Sequence, residues 1–164
     1  MIGKKFGFIT LIIDAAKGFL PVFFARILFN RQFADLDFSQ SAQSAGYLIF
    51  MSLVMLAPVT GHCYSVFIKF KGGKGVAAAL GVFLAVSPEA VLIALLIFAV
   101  ILFTSKYVSL ASIISAFFMP FLIFYALKNI YIFAASILIA GLIIYKHTPN
   151  IKRLINGTEN RIKK

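Results

Sequence analysis

The feature that most constrains this chain is a series of apolar runs, each close in length to a membrane-crossing helix. A transmembrane helix needs about 20 mainly apolar residues. Such runs cover residues 6–29, 45–68, 89–104, 107–127 and 130–146. A sixth run, 75–86, would be only about 18 Å long as a helix. Hydrophobic residues make up 62% of the chain, against roughly 45–50% in soluble domains. We therefore predict an all-α polytopic membrane helix bundle, with five full spans plus one short helix, as a single domain over 1–164.

The basic residues indicate how these spans are oriented. If the N-terminus is cytoplasmic and the short helix crosses the membrane, twelve of the sixteen Lys and Arg residues lie on the cytoplasmic side. The four exceptions are Lys17, Arg26, Arg31 and Lys128. This bias follows the positive-inside rule and places both termini in the cytoplasm, with about six crossings. The net charge of +11 is therefore explained by topology and by anionic lipid headgroups, and nucleic acid is excluded as a partner.

Two charged residues interrupt the first run. Asp14 and Lys17 would each add about 2.5–3.5 kcal/mol to the free energy of insertion near the centre of a span. Their i,i+3 spacing lets the two charges meet on one face of the helix. Two interpretations are open: an ion pair sheltered by the bundle, or the polar lining of an active-site cavity.

A cationic, glycine-rich loop separates the second run from the short one. Its candidate phosphate-binding residues are Lys71, Gly72, Gly73, Lys74 and Gly75. Glycine lets the backbone approach an anion closely, and the N-terminus of the helix that follows favours negative charge. A nucleotide-binding P-loop is excluded, because Ile68 replaces its first glycine and Gly75 stands where Ser or Thr is required. A phosphate-binding loop and a basic cytoplasmic turn remain the two interpretations.

A second polar cluster follows the last run and contains His147, Asn150, Arg153 and Glu159. Histidine titrates near neutral pH, so His147 is suited to act as a base or to bind phosphate. The alternative is a polybasic tail next to the membrane. Because the predicted topology places this segment and the glycine loop on the same face, we favour a shared anion site.

The remaining candidates carry weaker signals. A single cysteine, Cys63, excludes an intrachain disulfide and a cysteine-based metal cluster. No HExxH or GxSxG motif occurs, so metal-dependent hydrolysis and serine-type acyl transfer have no support, and no metal site is predicted. His62, at the end of the second run, fits a packed interfacial residue better than a catalyst.

These motifs resemble those of the bacterial acyl-phosphate-dependent glycerol-3-phosphate acyltransferases (PlsY type). Residues 67–77 are similar to the second motif of that family, residues 147–159 to its third motif, and residues 14–22 to a further family stretch. The resemblance implies transfer of a fatty acyl group from acyl phosphate to the sn-1 hydroxyl of glycerol 3-phosphate. The product is lysophosphatidic acid, made for phospholipid synthesis at the cytoplasmic face of the bacterial inner membrane. An acyl phosphate is already activated, so no cofactor is expected, and positioning and charge stabilisation supply most of the catalysis.

The resemblance also implies roles for individual residues. His147 and Asn150 are the expected catalytic pair, and they share the substrate phosphate with the glycine loop and Arg153. His147 as the base is a hypothesis, since a substrate phosphate is an alternative acceptor for the proton. Glu159 is expected to hold the C-terminal segment in place, and Asp14 and Lys17 to give structural support.

Two departures from the family pattern leave other functions open. Family members usually begin with another span and a first motif of the type Ser-x-Pro-x-Gly. The chain starts after these elements, so the domain is predicted to be N-terminally incomplete relative to the family. The alternatives are an inactive membrane remnant of the enzyme and a small anion transporter that uses Asp14 and Lys17. The oligomeric state cannot be predicted from these patterns.

Overall fold

The chain folds into a bundle of helices. The structure, a computed structural model, describes residues 4–32, 45–66, 69–70 and 72–162. Over these residues it contains helices and no strands. The helices are α1 (Lys4–Gln32), α2 (Ala45–Cys63), α3 (Val76–Val86), α4 (Pro88–Ser105), α5 (Val108–Leu127), α6 (Ile130–Lys146) and α7 (Thr148–Ile155). The predicted all-α bundle is confirmed.

Four of the described helices are long and apolar enough to cross a membrane: α1 over Phe6–Leu28, and α2, α4 and α5 over their full lengths. The 17-residue α6 and the adjoining α7 meet at an angle of 56° and make a fifth span if the bent pair is counted as one. The short helix predicted over 75–86 is α3, whose 11 residues rise about 16 Å. Large apolar side chains such as Leu53 and Phe103 face outwards, as expected where the surrounding solvent is lipid.

The short helix α3 lies at the centre of the bundle and crosses α1 at very close range. A Cβ on Gly18 would overlap the carbonyl of Ala78, and a Cβ on Gly81 would overlap the carbonyl of Ala15. The absence of a side chain at these two glycines lets the backbones touch. Further along, Arg26 Nη1 donates to the Ala85 carbonyl at 2.6 Å. The Arg26–Ala85 contact lies beyond the glycine crossing towards the C-terminal end of both helices, so α1 and α3 run parallel.

The second helix is shorter than its apolar run predicts. A span over 45–68 is wrong, because α2 ends at Cys63. Carbonyl groups in its last turn accept hydrogen bonds from donors that are distant in the sequence. Gly73 N–H donates to the His62 carbonyl at 3.2 Å, and Lys146 Nζ donates to the Cys63 carbonyl at 2.7 Å. Since the last carbonyls of a helix have no partner within it, these two donors stabilise an early end.

One end of the bundle gathers the polar segments. The Lys146–Cys63 contact ties the end of α6 to the end of α2. The Ile162 N–H donates to the Lys106 carbonyl at 3.0 Å and ties the C-terminal segment to the α4–α5 connection. The start of α3 lies at the same end, because Gly73 binds the His62 carbonyl. The glycine loop and the C-terminal segment are therefore neighbours.

Candidate functional site

A cavity of about 800 Å³ opens between α3, α4, α5 and the end of α6. The polar side chains that line it include Lys74, Ser109, Ser112, His147, Asn150, Glu159 and Arg161. The remaining lining is mainly apolar and includes Leu80, Phe83, Val91, Leu95, Phe98 and Met119. This α3–α5 cavity thus joins a cationic, hydrogen-bonding end to an apolar length, an arrangement suited to an amphipathic ligand.

Glu159 is the centre of the hydrogen-bond network at the polar end. Its Oε1 accepts from Asn150 Nδ2 at 2.7 Å and from Ser109 Oγ at 2.8 Å, and its Oε2 accepts from Arg153 Nε at 2.7 Å. The hydrogen bond from Asn150 is the main reason that the pKa of Glu159 falls to about 2, and the bonds from Ser109 and Arg153 add to it. An ionised Glu159 therefore joins α5, α7 and the C-terminal segment.

Two acceptors at this end are left for a ligand. His147 is 2% exposed, and its Nδ1 lies 2.8 Å from the Ile143 carbonyl. A carbonyl can only accept, so Nδ1 carries the proton, and in the neutral ring Nε2 is the acceptor. Asn150 Oδ1 is buried and has no hydrogen-bond partner among the described residues. The orientation of this amide is fixed, because its nitrogen donates to the Glu159 carboxylate. A buried acceptor without a partner is uncommon, so Asn150 Oδ1 is suited to receive a hydrogen bond from a bound ligand, and His147 offers a second acceptor in the lining of the same cavity.

The glycines of the loop pack mainly against the end of α2. A Cβ on Gly72 would overlap the backbone of His62 and Cys63, and a Cβ on Gly73 would overlap the His62 ring. Gly75 has a φ of +82°, and a Cβ there would lie 2.8 Å from Cys63 Sγ. Gly75 lines the α3–α5 cavity. Of the glycines predicted to bind phosphate, Gly72 and Gly73 therefore pack against α2, whereas Gly75 lines the cavity.

Lys74 is the cation that this loop brings to the cavity. Among the described residues it has no hydrogen-bond or ion-pair partner. Partial burial against the neighbouring helices lowers the pKa of Lys74, an effect that the nearby Glu159 carboxylate opposes. Its ammonium group is therefore available to a bound anion. Lys71, also predicted to bind phosphate, lies outside the described residues.

The two arginines of the C-terminal segment occupy different places. Arg153 donates to Glu159, its side chain is 45% exposed, and it is not part of the cavity lining. Arg161 lines the cavity, donates through Nε to the Tyr107 hydroxyl at 2.7 Å, and lies over the Tyr107 ring. Sequence reasoning missed Arg161 and Ser109. The short distance between Arg161 and Glu159 along the chain was a usable signal, whereas a serine in an apolar run carries none.

A second cavity, of about 950 Å³, lies between α1 and α2. Asp14, Lys17, His62 and Gly73 line it together with apolar side chains. Lys17 Nζ lies 3.2 Å from Asp14 Oδ1, so the predicted ion pair is present. Both residues also line this α1–α2 cavity, but they do not join the cluster around His147. His62 lines both cavities.

The described residues contain no group of three His, Cys, Asp or Glu side chains placed to hold a metal ion. Cys63 is buried beneath Gly75, where it packs as a small apolar residue.

Comparison with known proteins gives a consistent result. The family model described as glycerol-3-phosphate acyltransferase matches residues 1–157. The glycerol-3-phosphate acyltransferase of Fusobacterium nucleatum is 44% identical over 99% of this chain and 76% of its own length. That of Syntrophotalea carbinolica is also 44% identical, over 98% of this chain and 74% of its own length. Two crystal structures of PlsY (YgiH), an integral membrane glycerol 3-phosphate acyltransferase, were solved in a glycerol 3-phosphate form and a lysophosphatidic acid form. Each superposes with a TM-score of 0.84 at 38% identity, covering 99% of this chain and 74% or 75% of theirs.

Proposed function

The chain belongs to the glycerol-3-phosphate acyltransferase family, and from this membership we propose that it transfers a fatty acyl group from acyl phosphate to the sn-1 hydroxyl of glycerol 3-phosphate. The product is lysophosphatidic acid, a precursor in phospholipid synthesis. The chain is thus an integral membrane acyltransferase.

The observation that carries the proposal is the composition of the α3–α5 cavity. Lys74 and Arg161 supply positive charge at one end, and the α3 and α4 side chains Phe83 and Leu95 line the apolar length. An acyl phosphate has a matching shape, with a charged group on a long apolar chain. The volume of about 800 Å³ is in the range of about 300–1,000 Å³ typical of small-molecule sites.

In this arrangement the substrate phosphates bind at Lys74, Arg161 and the start of α3. Lys74 has no competing partner among the described residues, and the first amides of a helix favour an anion. We assign Arg153 an indirect role, because it binds Glu159. Through Glu159, it helps to hold Asn150. Gly72 and Gly73 act by allowing the loop to pack against α2.

The reaction needs a proton acceptor next to the attacking hydroxyl group. The glycerol hydroxyl oxygen forms a bond to the acyl carbonyl carbon, the bond from that carbon to the phosphate oxygen breaks, and the phosphate leaves with the electron pair. The hydroxyl proton passes to His147 Nε2 or directly to the leaving phosphate, where it ends in either case. Asn150 Oδ1 accepts a hydrogen bond from the other hydroxyl group of glycerol 3-phosphate, which orients the substrate, and the cations stabilise the charge on the leaving phosphate.

We also propose that the polar end of the bundle faces the cytoplasm and that the membrane is the bacterial plasma (inner) membrane. The glycine loop and the C-terminal segment carry many of the twelve basic residues that the positive-inside rule assigns to the cytoplasmic side. Glycerol 3-phosphate, a small anion dissolved in water, then enters the cavity from the cytoplasm. The acyl chain of the donor enters from the lipid.

The proposal is tested by an assay of the purified chain in lipid nanodiscs. We expect lysophosphatidic acid, detected by mass spectrometry, when acyl phosphate and glycerol 3-phosphate are both present. Acyl coenzyme A in place of acyl phosphate should give little product. Failure to form product from either donor contradicts the proposed function. Phosphate flux into proteoliposomes without any acyl product would instead identify a transporter.

A further inference from the structure

His62 links the α1–α2 cavity to the glycine loop. Its side chain is 19% exposed, and its Nδ1 lies 3.6 Å from Asp14 Oδ1. The opposite side of the ring, at Nε2, occupies the position that a Cβ on Gly73 would need. The His62 carbonyl also accepts the hydrogen bond from Gly73 N–H. One residue therefore holds Gly73 through both its backbone and its ring.

Hydrogen bonds give the loop little other support. Among the described residues, the Gly73–His62 bond is the hydrogen bond that residues 72–74 make with the rest of the bundle. Lys74 follows Gly73 directly, so a displacement of Gly73 moves the lysine that lines the α3–α5 cavity. The ring of His62 sets how closely Gly73 approaches α2, and Asp14 is the charged partner that faces the ring from α1.

We propose that His62, held by Asp14, is a positioning residue that sets the place of Gly73 and hence of Lys74 for binding the phosphate of glycerol 3-phosphate. This inference rests on the proposed function. It gives the Asp14–His62 pair a purpose in the reaction, although Asp14 does not line the α3–α5 cavity. His62 acts through the loop and takes no part in the chemical step.

The expected signature is a selective change in affinity for glycerol 3-phosphate. In the assay described above, His62→Ala should raise the KM for glycerol 3-phosphate about 10-fold, since small displacements of a binding group are costly. The KM for acyl phosphate and the kcat should change much less. Asp14→Asn should give part of the same increase, and His62→Gln should restore part of the loss. Equal effects on both substrates, or an unchanged KM for glycerol 3-phosphate, would overturn the inference.

A double-mutant cycle tests the ring contact itself. Gly73→Ala alone should weaken glycerol 3-phosphate binding, measured by calorimetry, by about 10-fold or more, because the new methyl group collides with the His62 ring. In the His62→Ala background the same change should weaken binding no more than about 3-fold, because the colliding ring is gone. If the fold-losses in binding of the two single variants simply multiply in the double variant, the ring does not set the position of Gly73.

Gly72→Ala is the matched control for this cycle. A Cβ on Gly72 meets backbone atoms of His62 and Cys63, which the His62→Ala substitution leaves in place. The loss of affinity that Gly72→Ala causes should therefore be the same in both backgrounds. If His62→Ala relieves the losses of both Gly72→Ala and Gly73→Ala, it loosens the whole loop, and the inference is overturned. A parent protein that binds glycerol 3-phosphate but makes no lysophosphatidic acid contradicts the proposed function alone, since the cycle is read from binding. A parent that binds none contradicts both.

Discussion

Two neighbouring segments build the polar end of the α3–α5 cavity in different ways. The glycine loop, residues 72–75, is positioned by backbone contacts, with Gly72 and Gly73 pressed against the end of α2. The C-terminal segment, residues 147–162, is positioned largely by side-chain hydrogen bonds that meet at Glu159. The loop should therefore be sensitive to added volume, and the segment to the loss of a hydrogen-bonding group. Both lead to the same site, so activity alone does not tell them apart, but stability and pH dependence do.

The largest expected effect is on the charge that the loop presents. Lys74→Ala should lower kcat/KM for glycerol 3-phosphate about 10²–10³-fold, the size of effect seen when one charge-stabilising donor is removed from an active site. Protein stability should hardly change, because Lys74 has no hydrogen-bond or ion-pair partner among the described residues. The control is Lys69→Ala, which removes an exposed lysine from the same connection. Equal losses in the two variants would show that general positive charge, and not Lys74, attracts the substrate.

A change in the C-terminal segment should affect both activity and stability. Glu159→Gln removes the negative charge that accepts hydrogen bonds from Ser109, Asn150 and Arg153. We expect activity to fall by about 10²-fold as Asn150 loses its fixed position, together with a lower Tm in detergent. Glu89→Gln is the control, because Glu89 is an exposed carboxyl in the first turn of α4 that accepts a hydrogen bond from the nearby Ser87 and lies outside the network of Glu159. A Glu159→Gln variant with normal Tm and normal activity would show that hydrogen bonds to Glu159 do not position the C-terminal segment.

Alanine at two glycines compares the segments at the level of the backbone. Gly75 and Gly157 both have positive φ, +82° and +70°, so alanine at either should reduce the free energy of unfolding by about 1–2 kcal/mol. At Gly157 no neighbouring atom lies within reach of the new methyl group. At Gly75 the methyl group meets Cys63 Sγ, which should add about 1–3 kcal/mol. Equal losses in reversible unfolding would contradict the close packing of the loop.

The smallest expected effect is a pH dependence confined to the segment. The pKa of Glu159 is about 2 in the folded chain, against an ordinary value of 4.5. A lowered carboxyl pKa stabilises the fold above the ordinary pKa, and this contribution is lost as the pH falls from about 4.5 towards 2. The difference in Tm between the parent and Glu159→Gln should therefore shrink over that range. If the Tm difference stays constant over this pH range, the ionised form of Glu159 does not contribute to stability.

The apolar runs predicted most of the fold. Because a membrane allows few ways to satisfy the backbone, run length alone identified the spans and the short helix α3. The predicted end of α2 was wrong, because the helix end depends on contacts with Lys146 and Gly73, which are distant in the sequence. The bend of 56° between α6 and α7 was also not predicted, although Pro149 stands in the first turn of α7.

The candidate site was predictable where polar residues cluster between the apolar runs or after the last of them. Lys74, His147, Asn150 and Glu159 stood out for this reason, and they line one cavity. Ser109 did not, because a serine is common in a transmembrane helix and its bond to Glu159 exists only in the folded bundle. The division of the glycines between packing and cavity lining likewise depends on where the end of α2 lies, which periodicity does not reveal.

The close crossing of α1 and α3 also joins two helices that are not synthesised one after the other. Gly18 and Gly81 fit together only when both helices are present, and the ribosome makes α2 between them. The contacts that pair α1, which carries Asp14 and Lys17, with Gly81 therefore cannot form before residue 81 has been synthesised. Charged residues in a span make its partition into lipid marginal. The contact with α3 is therefore a late contribution to holding α1 in the bilayer.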